Sequence, residues 1–279
     1  ASRMPVSRAV LLLLAVFVLS GFAGLIYQSI WSHYLGLVLG HAAYAQTLVL
    51  SMFMGGMALG AWLTSRLALR RRRLVFGYGV IEILIGAAGL AFHPVFVGYM
   101  GLSQETVIPA LGSAGAVSAW QWLSAAALIA PQTVLLGATF PLMVQGVLRL
   151  DPGSEGQVLG GMYFTNGLGA ALGVLAATFA LLPAMGMPGA MLVAGAMNIA
   201  VGIAACVISL RVGEAARPAP ISAVVAEPRA VSPTDPEALP LGTLTRVVLL
   251  ATFASSAASF VYEIGWVRLL NQALGSTLH

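Results

Sequence analysis

The sequence predicts an all-α integral membrane protein: six transmembrane helices, then the first helix of a second, parallel repeat. Three observations carry that expectation. Of 279 residues, 59% are hydrophobic and 8% charged, with a mean hydropathy of +0.94; a soluble domain carries about 25% charged residues. The stretch SGFAGLIYQSIWSHYLGLVLG at 20–40 recurs at 255–275 as SSAASFVYEIGWVRLLNQALG. The arginines gather on alternate loops.

The repeat is the organising feature. The two copies share Ser20/Ser255, Ala23/Ala258, Tyr27/Tyr262, Trp31/Trp266, Leu35/Leu270, Leu39/Leu274 and Gly40/Gly275. Two of these pairs are aromatic, and aromatics are only 8% of the chain. Tyr27 and Trp31 are i,i+4 neighbours and share a helix face. At the end of an apolar run, such rings read as an interface belt. The same reading applies to Tyr262 and Trp266. Recurrence at this distance implies two similar bundles, the second only begun by residue 279.

A membrane crossing needs about 20 apolar residues. Six stretches meet that need: 9–31, 44–69, 75–100, the inner part of 116–150, 158–182 and 189–210. A seventh begins near Thr245. If the spans alternate, Arg3, Arg8, Arg66, Arg70, Arg71, Arg72, Arg73, Arg149, Arg211, Arg217, Arg229 and Arg246 share one side. Loops 32–43, 101–115 and 183–188 hold no Lys or Arg. Positive loops stay inside, which places the N-terminus in the cytoplasm. Arg268 is the exception, in the slot that His33 fills in the first copy. The net charge of +4 and pI near 9.6 therefore reflect topology and not nucleic-acid binding. The chain has 13 arginines and no lysine, a matter of composition.

Between the second and third spans, Gly56 and Gly60 form a GxxxG pair that lets two helices approach closely. The run at 70–73 reads as a solvated anchor or a gating loop. The 35-residue run 116–150 would be about 52 Å long as helix, against a ~30 Å core. Trp120 and Trp122 suggest that its first part lies at the interface. Pro131 and Pro141 interrupt the helical ladder, and the expected helix break is Gly137–Pro141, near mid-bilayer. Broken helices at that depth are where secondary transporters often bind substrate; an ordinary kink is the plainer alternative. Gly169 and Gly173 repeat the close-packing signature. Residues 212–241 carry six prolines and four acids and read as a flexible cytoplasmic linker. The expected organisation is a six-span unit at 1–211, a linker at 212–242 and the first span of a second unit at 243–279.

Of nine acidic residues, Glu82 and Glu263 lie in apolar spans. A carboxylate there is costly and is by default a functional candidate. Glu82 sits about 10 Å inside its span, and Gln145 and Asn166 reach comparable depth. The three could line one inward-facing cavity. Gln28, Gln46, His93 and Gln132 form an outer set, which Glu263 joins as the repeat equivalent of Gln28. The ordinary alternative for each is interhelical hydrogen bonding. Two acids would suit a cationic substrate. Glu82 is expected to face protein, with Gln145 or Asn166 as its polar neighbour.

Cys206 is the single cysteine, which rules out an intramolecular disulfide. No Walker loop, HExxH or CxxC is present, and no histidine spacing makes a metal or haem site. No constellation for a chemical step stands in these residues, so no cofactor is expected.

The loop from Gly56 to Arg73 resembles a loosened form of the signature loop of major facilitator transporters, with Ser65 where an acid is expected. More broadly, GFAGLIYQSIWSHYLGLVLG, FMGGMALGAWL, APQTVLLGATFPLM and GGMYFTNGLGAALGV, in that order, resemble the membrane part of the bacterial fused major-facilitator/spermidine-synthase-like family. The resemblance covers nearly the whole chain outside the linker. It implies a multi-pass module of the bacterial inner membrane linked to polyamines. Family members typically append a soluble aminopropyltransferase-like domain with a glycine-rich loop and aspartates, which these residues lack. The function this implies is handling of a small cation such as a polyamine. Its rivals are an anchor for such an enzyme domain and a structural subunit of a larger membrane complex. The expected partners are the lipid bilayer, a polyamine or related cation, and other membrane subunits.

Overall fold

The computed structural model describes residues 4–68, 73–152, 155–213 and 241–274, and among them every regular element is helical. Helices α1 (Val6–Leu39), α2 (Ala42–Ala68) and α3 (Leu74–Leu102) come first. α3 continues through a π-type turn, Ser103–Val107, into a single helical turn, α4 (Ile108–Ala110). Then follow α5 (Ala114–Leu150), α6 (Glu155–Ala176), a second π-type turn at Ala177–Leu181, α7 (Leu182–Val212) and α8 (Leu241–Leu274). Among the described residues, five stretches are long and apolar enough to cross a membrane: Val6–Leu39, Ala42–Arg66, Leu74–Ala110, Ala114–Leu150 and Gly156–Val212. The chain divides into two units, Ala1–Pro218 and Ala219–His279. Most of the expected linker, 214–240, and Arg70 to Arg72 lie outside the described residues.

The helices overrun the expected spans. α1 continues through the repeat to Leu39 and stops at Gly40, whose φ of 68° is left-handed; glycine adopts that region without a Cβ penalty. α5 is continuous from Ala114 to Leu150 with Pro131 and Pro141 inside it, so the break expected at Gly137–Pro141 is not there. Gly137 serves a different purpose. A Cβ there would lie 2.2 Å from the Met57 carbonyl oxygen, so its bare backbone is what lets α5 press against α2.

The interruption comes instead at Gly186, with φ 67° and ψ −176°, a conformation essentially confined to glycine. It lies within the 57-residue run Gly156–Val212, which would measure about 85 Å if straight. Yet both ends of that run lie beside the start of α1. Val10 and Leu14 share a cavity with Gln157 and Val158, and the Met4 amide donates to the Arg211 carbonyl. The chain therefore reverses within the run. α6 climbs parallel to α1, with Leu14 near Gly161 and Phe22 near Gly173. α7 returns antiparallel to α3, with Gly86 near Gly195 and Gly79 near Gly202.

The other contacts follow the same alternation. α2 and α5 run parallel, Gly56 against Thr133 and Gly60 against Val134. α3 and α5 run antiparallel, from Val75 against Gly146 to Ser103 against Trp120. This gathers Arg8, Arg66, Arg73, Arg149 and Arg211 at one end of the first unit, here called the arginine end.

The interior is two apolar layers. The layer nearer the arginine end holds Leu13, Phe17, Val75, Tyr78, Met143, Met162 and Val201. The far layer holds Ile26, Tyr27, Trp31, Tyr34, Phe53, Phe92, Ile129 and Ala194. Tyr27 and Trp31 are 0% exposed. Their rings stack at 5.7 Å, and Trp31 also meets Phe53 and Phe92. The interface-belt reading of this pair is thus corrected: α1 is central to its unit, and the shared face points inward.

α8 is described by itself. Its limits are those of α1 displaced by 235 positions, 6–39 becoming 241–274, and both helices have 34 residues.

Candidate functional site

A polar layer lies between the two apolar ones. On α1 it falls at Ser20, between Phe17 and Ala23. On α3 it falls at Glu82, between Tyr78 and Ile85, and on α7 at Asn198, between Ala194 and Val201. Ser20 is 4% exposed, and Glu82 and Asn198 are 0% exposed. Ser20 Oγ donates to Glu82 Oε1 at 2.5 Å, and Asn198 Nδ2 donates to Glu82 Oε2. The Tyr78 hydroxyl neighbours the same carboxylate and Ser20 but lacks hydrogen-bonding geometry to either.

Helix packing builds this layer. Glu82 sits between Gly79 and Gly86, and Asn198 sits between Gly195 and Gly202 at the same spacing. A Cβ on Gly86 would lie 2.6 Å from the Gly195 carbonyl oxygen, and one on Gly202 would lie 2.5 Å from that of Gly79. Four glycines thus bring two antiparallel backbones together on both sides of the acid–amide pair. Small residues are what permit so close an approach.

The groups around Glu82 are all neutral: a hydroxyl, an amide and a phenol. No arginine among the described residues contacts it. A buried carboxylate without a cation is costly, about 2.5–3.5 kcal/mol on insertion scales. The site accommodates either a carboxylate or a carboxylic acid. Turning the Asn198 amide by half a turn offers its oxygen, now without a partner, to a protonated Glu82.

The expected companions of Glu82 are placed differently. Neither Gln145 on α5 nor Asn166 on α6 hydrogen-bonds to it; its partners come from α1 and α7. Asn166 lies against Gly21, next to Ser20 in the chain but across α1. Gln132, expected near the outer surface, is 3% exposed, and its Nε2 donates to the Ile85 carbonyl at 3.1 Å. It therefore lies one turn from Glu82. Gln28 is half-buried toward the far end. His93 Nδ1 pairs with the Tyr34 hydroxyl at 2.8 Å. The side chains of Glu263 and Trp266 lie outside the described residues.

Ser20, Tyr78 and Asn198 were missed from sequence. Ser20 was visible only as a repeat identity. Asn198 carried a usable signal: Gly-x-x-Asn-x-x-x-Gly on α7 duplicates the Gly-x-x-Glu-x-x-x-Gly of α3.

One cavity of about 180 Å³ opens at the arginine end between α1, α5 and α6, lined by Val10, Leu14, Val147, Asp151, Gln157, Val158 and Met162. It is separate from the polar layer. No cluster of metal-binding side chains occurs among the described residues.

The chain is similar to polyamine aminopropyltransferase 2 of Streptomyces coelicolor. Identity is 28% over 214 residues, or 73% of this chain. The chain spans 35% of that relative's length. No protein-family model matches, and no solved structure matches.

Proposed function

We propose that this chain is the membrane module of a polyamine-handling protein. In it, six crossings surround Glu82, which neutralises a small cation in the bilayer. The observation that carries this reading is the fully buried Glu82 carboxyl held only by neutral donors. Such a group invites a proton or an ammonium as its counter-charge. The sixth crossing rests on the reversal inside Gly156–Val212. The matching limits of α1 and α8 support a second, parallel repeat of the major-facilitator kind. The arginine end faces the cytoplasm of a bacterial inner membrane in this reading. The polyamine is suggested by the name of the similar Streptomyces protein. The test is equilibrium binding of labelled spermidine to the chain in lipid nanodiscs. The parent binds and Glu82→Gln does not. Equal binding by both would sink the cation site.

A second reading has its own support. The similar protein is named for an enzyme, and this chain spans 35% of it. Here the helices would anchor an aminopropyltransferase-like domain and bind no polyamine themselves. Absence of spermidine binding by the parent, with aminopropyl transfer found in membranes expressing the complete gene, would favour it.

A further inference from the structure

The α1–α3 seam carries polar groups beyond Glu82. Ser20, Tyr27 and Tyr34 are spaced seven residues apart on one face of α1. They meet α3 in register: Ser20 at Glu82, Tyr27 at Gly89 and Tyr34 at His93. A Cβ on Gly89 would lie 2.5 Å from the Tyr27 hydroxyl, so the missing side chain is what admits that oxygen to the seam. The Tyr27 hydroxyl and the Trp31 indole N–H of α1 are buried with no hydrogen-bond partner, and so are the Tyr78 hydroxyl of α3 and Asn198 Oδ1 of α7. Four orphaned polar atoms in one interior are not a packing accident, because buried polar groups are as a rule satisfied. Ordered water is the usual partner for such atoms.

The groups follow one another along the two helices. Half-buried His93 stands toward the far end with Tyr34 on its Nδ1. Glu82 lies eleven residues before it on the same helix, about 16 Å along the axis. The Tyr27 hydroxyl falls between them, and it can accept and donate at once. The titratable groups facing Glu82 are Tyr27 from α1 and Tyr78 from its own helix. α7 supplies Asn198 there and Cys206 beside Gly79, while α5 supplies Gln132 against Ile85.

We propose that this seam is a proton pathway joining the Tyr34–His93 pair to Glu82 through the Tyr27 hydroxyl and buried water. A proton taken from solvent by the His93 imidazole passes to water. The Tyr27 hydroxyl accepts one proton as it releases its own, and the Glu82 carboxylate becomes a carboxylic acid. The reverse sequence restores the starting state, so no other bond is made or broken. The proposal goes beyond polyamine handling and does not require it.

The experiment is infrared spectroscopy of the chain in lipid nanodiscs, without polyamine, on transfer to heavy water. The buried carboxylic acid band should be present at acid pH, absent in Glu82→Gln, and should shift as its proton exchanges for deuterium. In Tyr27→Phe, which keeps the ring, exchange should slow by about a hundredfold, the scale of a positioned proton-transfer group. His93→Gln should slow it as well. Tyr99→Phe, which removes a hydroxyl of α3 that pairs with Ser124 on α5 away from the seam, should leave the rate unchanged and reports on packing damage. Exchange of the Glu82 band at the parent rate in Tyr27→Phe overturns the pathway, as does absence of any band assigned to Glu82. Because spermidine binding is measured separately, either reading can fail without the other.

Discussion

Glu82 and Asn198, 116 residues apart in sequence, form a hydrogen-bonded pair at the centre of the α3–α7 contact. The pair is fully buried, and close glycine crossings bracket it on either side. Its consequences for stability are direct.

Asn198→Ala removes the donor to Glu82 Oε2 and leaves the carboxyl buried with Ser20 as its one remaining hydrogen-bond donor. The expected loss is about 1–3 kcal/mol, read as a lower midpoint of thermal unfolding in detergent. Glu82→Gln should lose less, because it keeps the shape and drops the charge. An Asn198→Ala midpoint equal to the parent's would mean that the pair is not formed.

The glycine crossings should tolerate no side chain. Gly86→Ala places its methyl 2.6 Å from a backbone carbonyl and forces the two helices apart. Overpacking of this kind costs about 1–3 kcal/mol. Gly98 on the same helix has nothing within 4 Å, and Gly98→Ala should be neutral or slightly stabilising. Equal effects at the two positions would contradict the close α3–α7 approach.

Trp31→Ala should be among the most damaging single changes. The ring is fully enclosed by Tyr27, Phe53 and Phe92, and truncating a buried Trp costs about 3–5 kcal/mol. Expression and the thermal midpoint measure this. A rim aromatic, as the interface-belt reading required, would lose far less.

Gly186→Ala tests the reversal. At φ 67° and ψ −176° an alanine is strained by about 1–3 kcal/mol, although no side chain crowds the position closely. A clear loss of stability is expected. A neutral substitution would mean that the bend lies elsewhere.

Orientation is tested in a Cys206→Ala background with exposed Gly112→Cys and Arg73→Cys. A membrane-impermeant maleimide added outside cells should label Gly112→Cys and spare Arg73→Cys. The reverse pattern inverts the proposed orientation. Labelling of both means that α3 does not cross.

The sequence by itself determined the helices and their apolar character. It also determined the arginine end and the burial of Glu82 against protein. Each is a local or compositional property: about 20 apolar residues make a long helix, and a carboxyl finds no partner in lipid. Tertiary structure alone decided which side chains meet Glu82, why Tyr27 and Trp31 point inward, and that α5 passes unbroken through Pro131 and Pro141 while Gly186 takes the bend. The physical reason is that lipid and protein interior are equally apolar. In a soluble helix a polar face marks the outside and an apolar stripe marks the core. Here both faces are apolar, so periodicity shows which residues share a face but not which helix that face will meet. Only the glycines retained that information. The matched spacing around Glu82 and Asn198 was written in the chain, but its meaning required two helices laid antiparallel, where small residues let backbones touch.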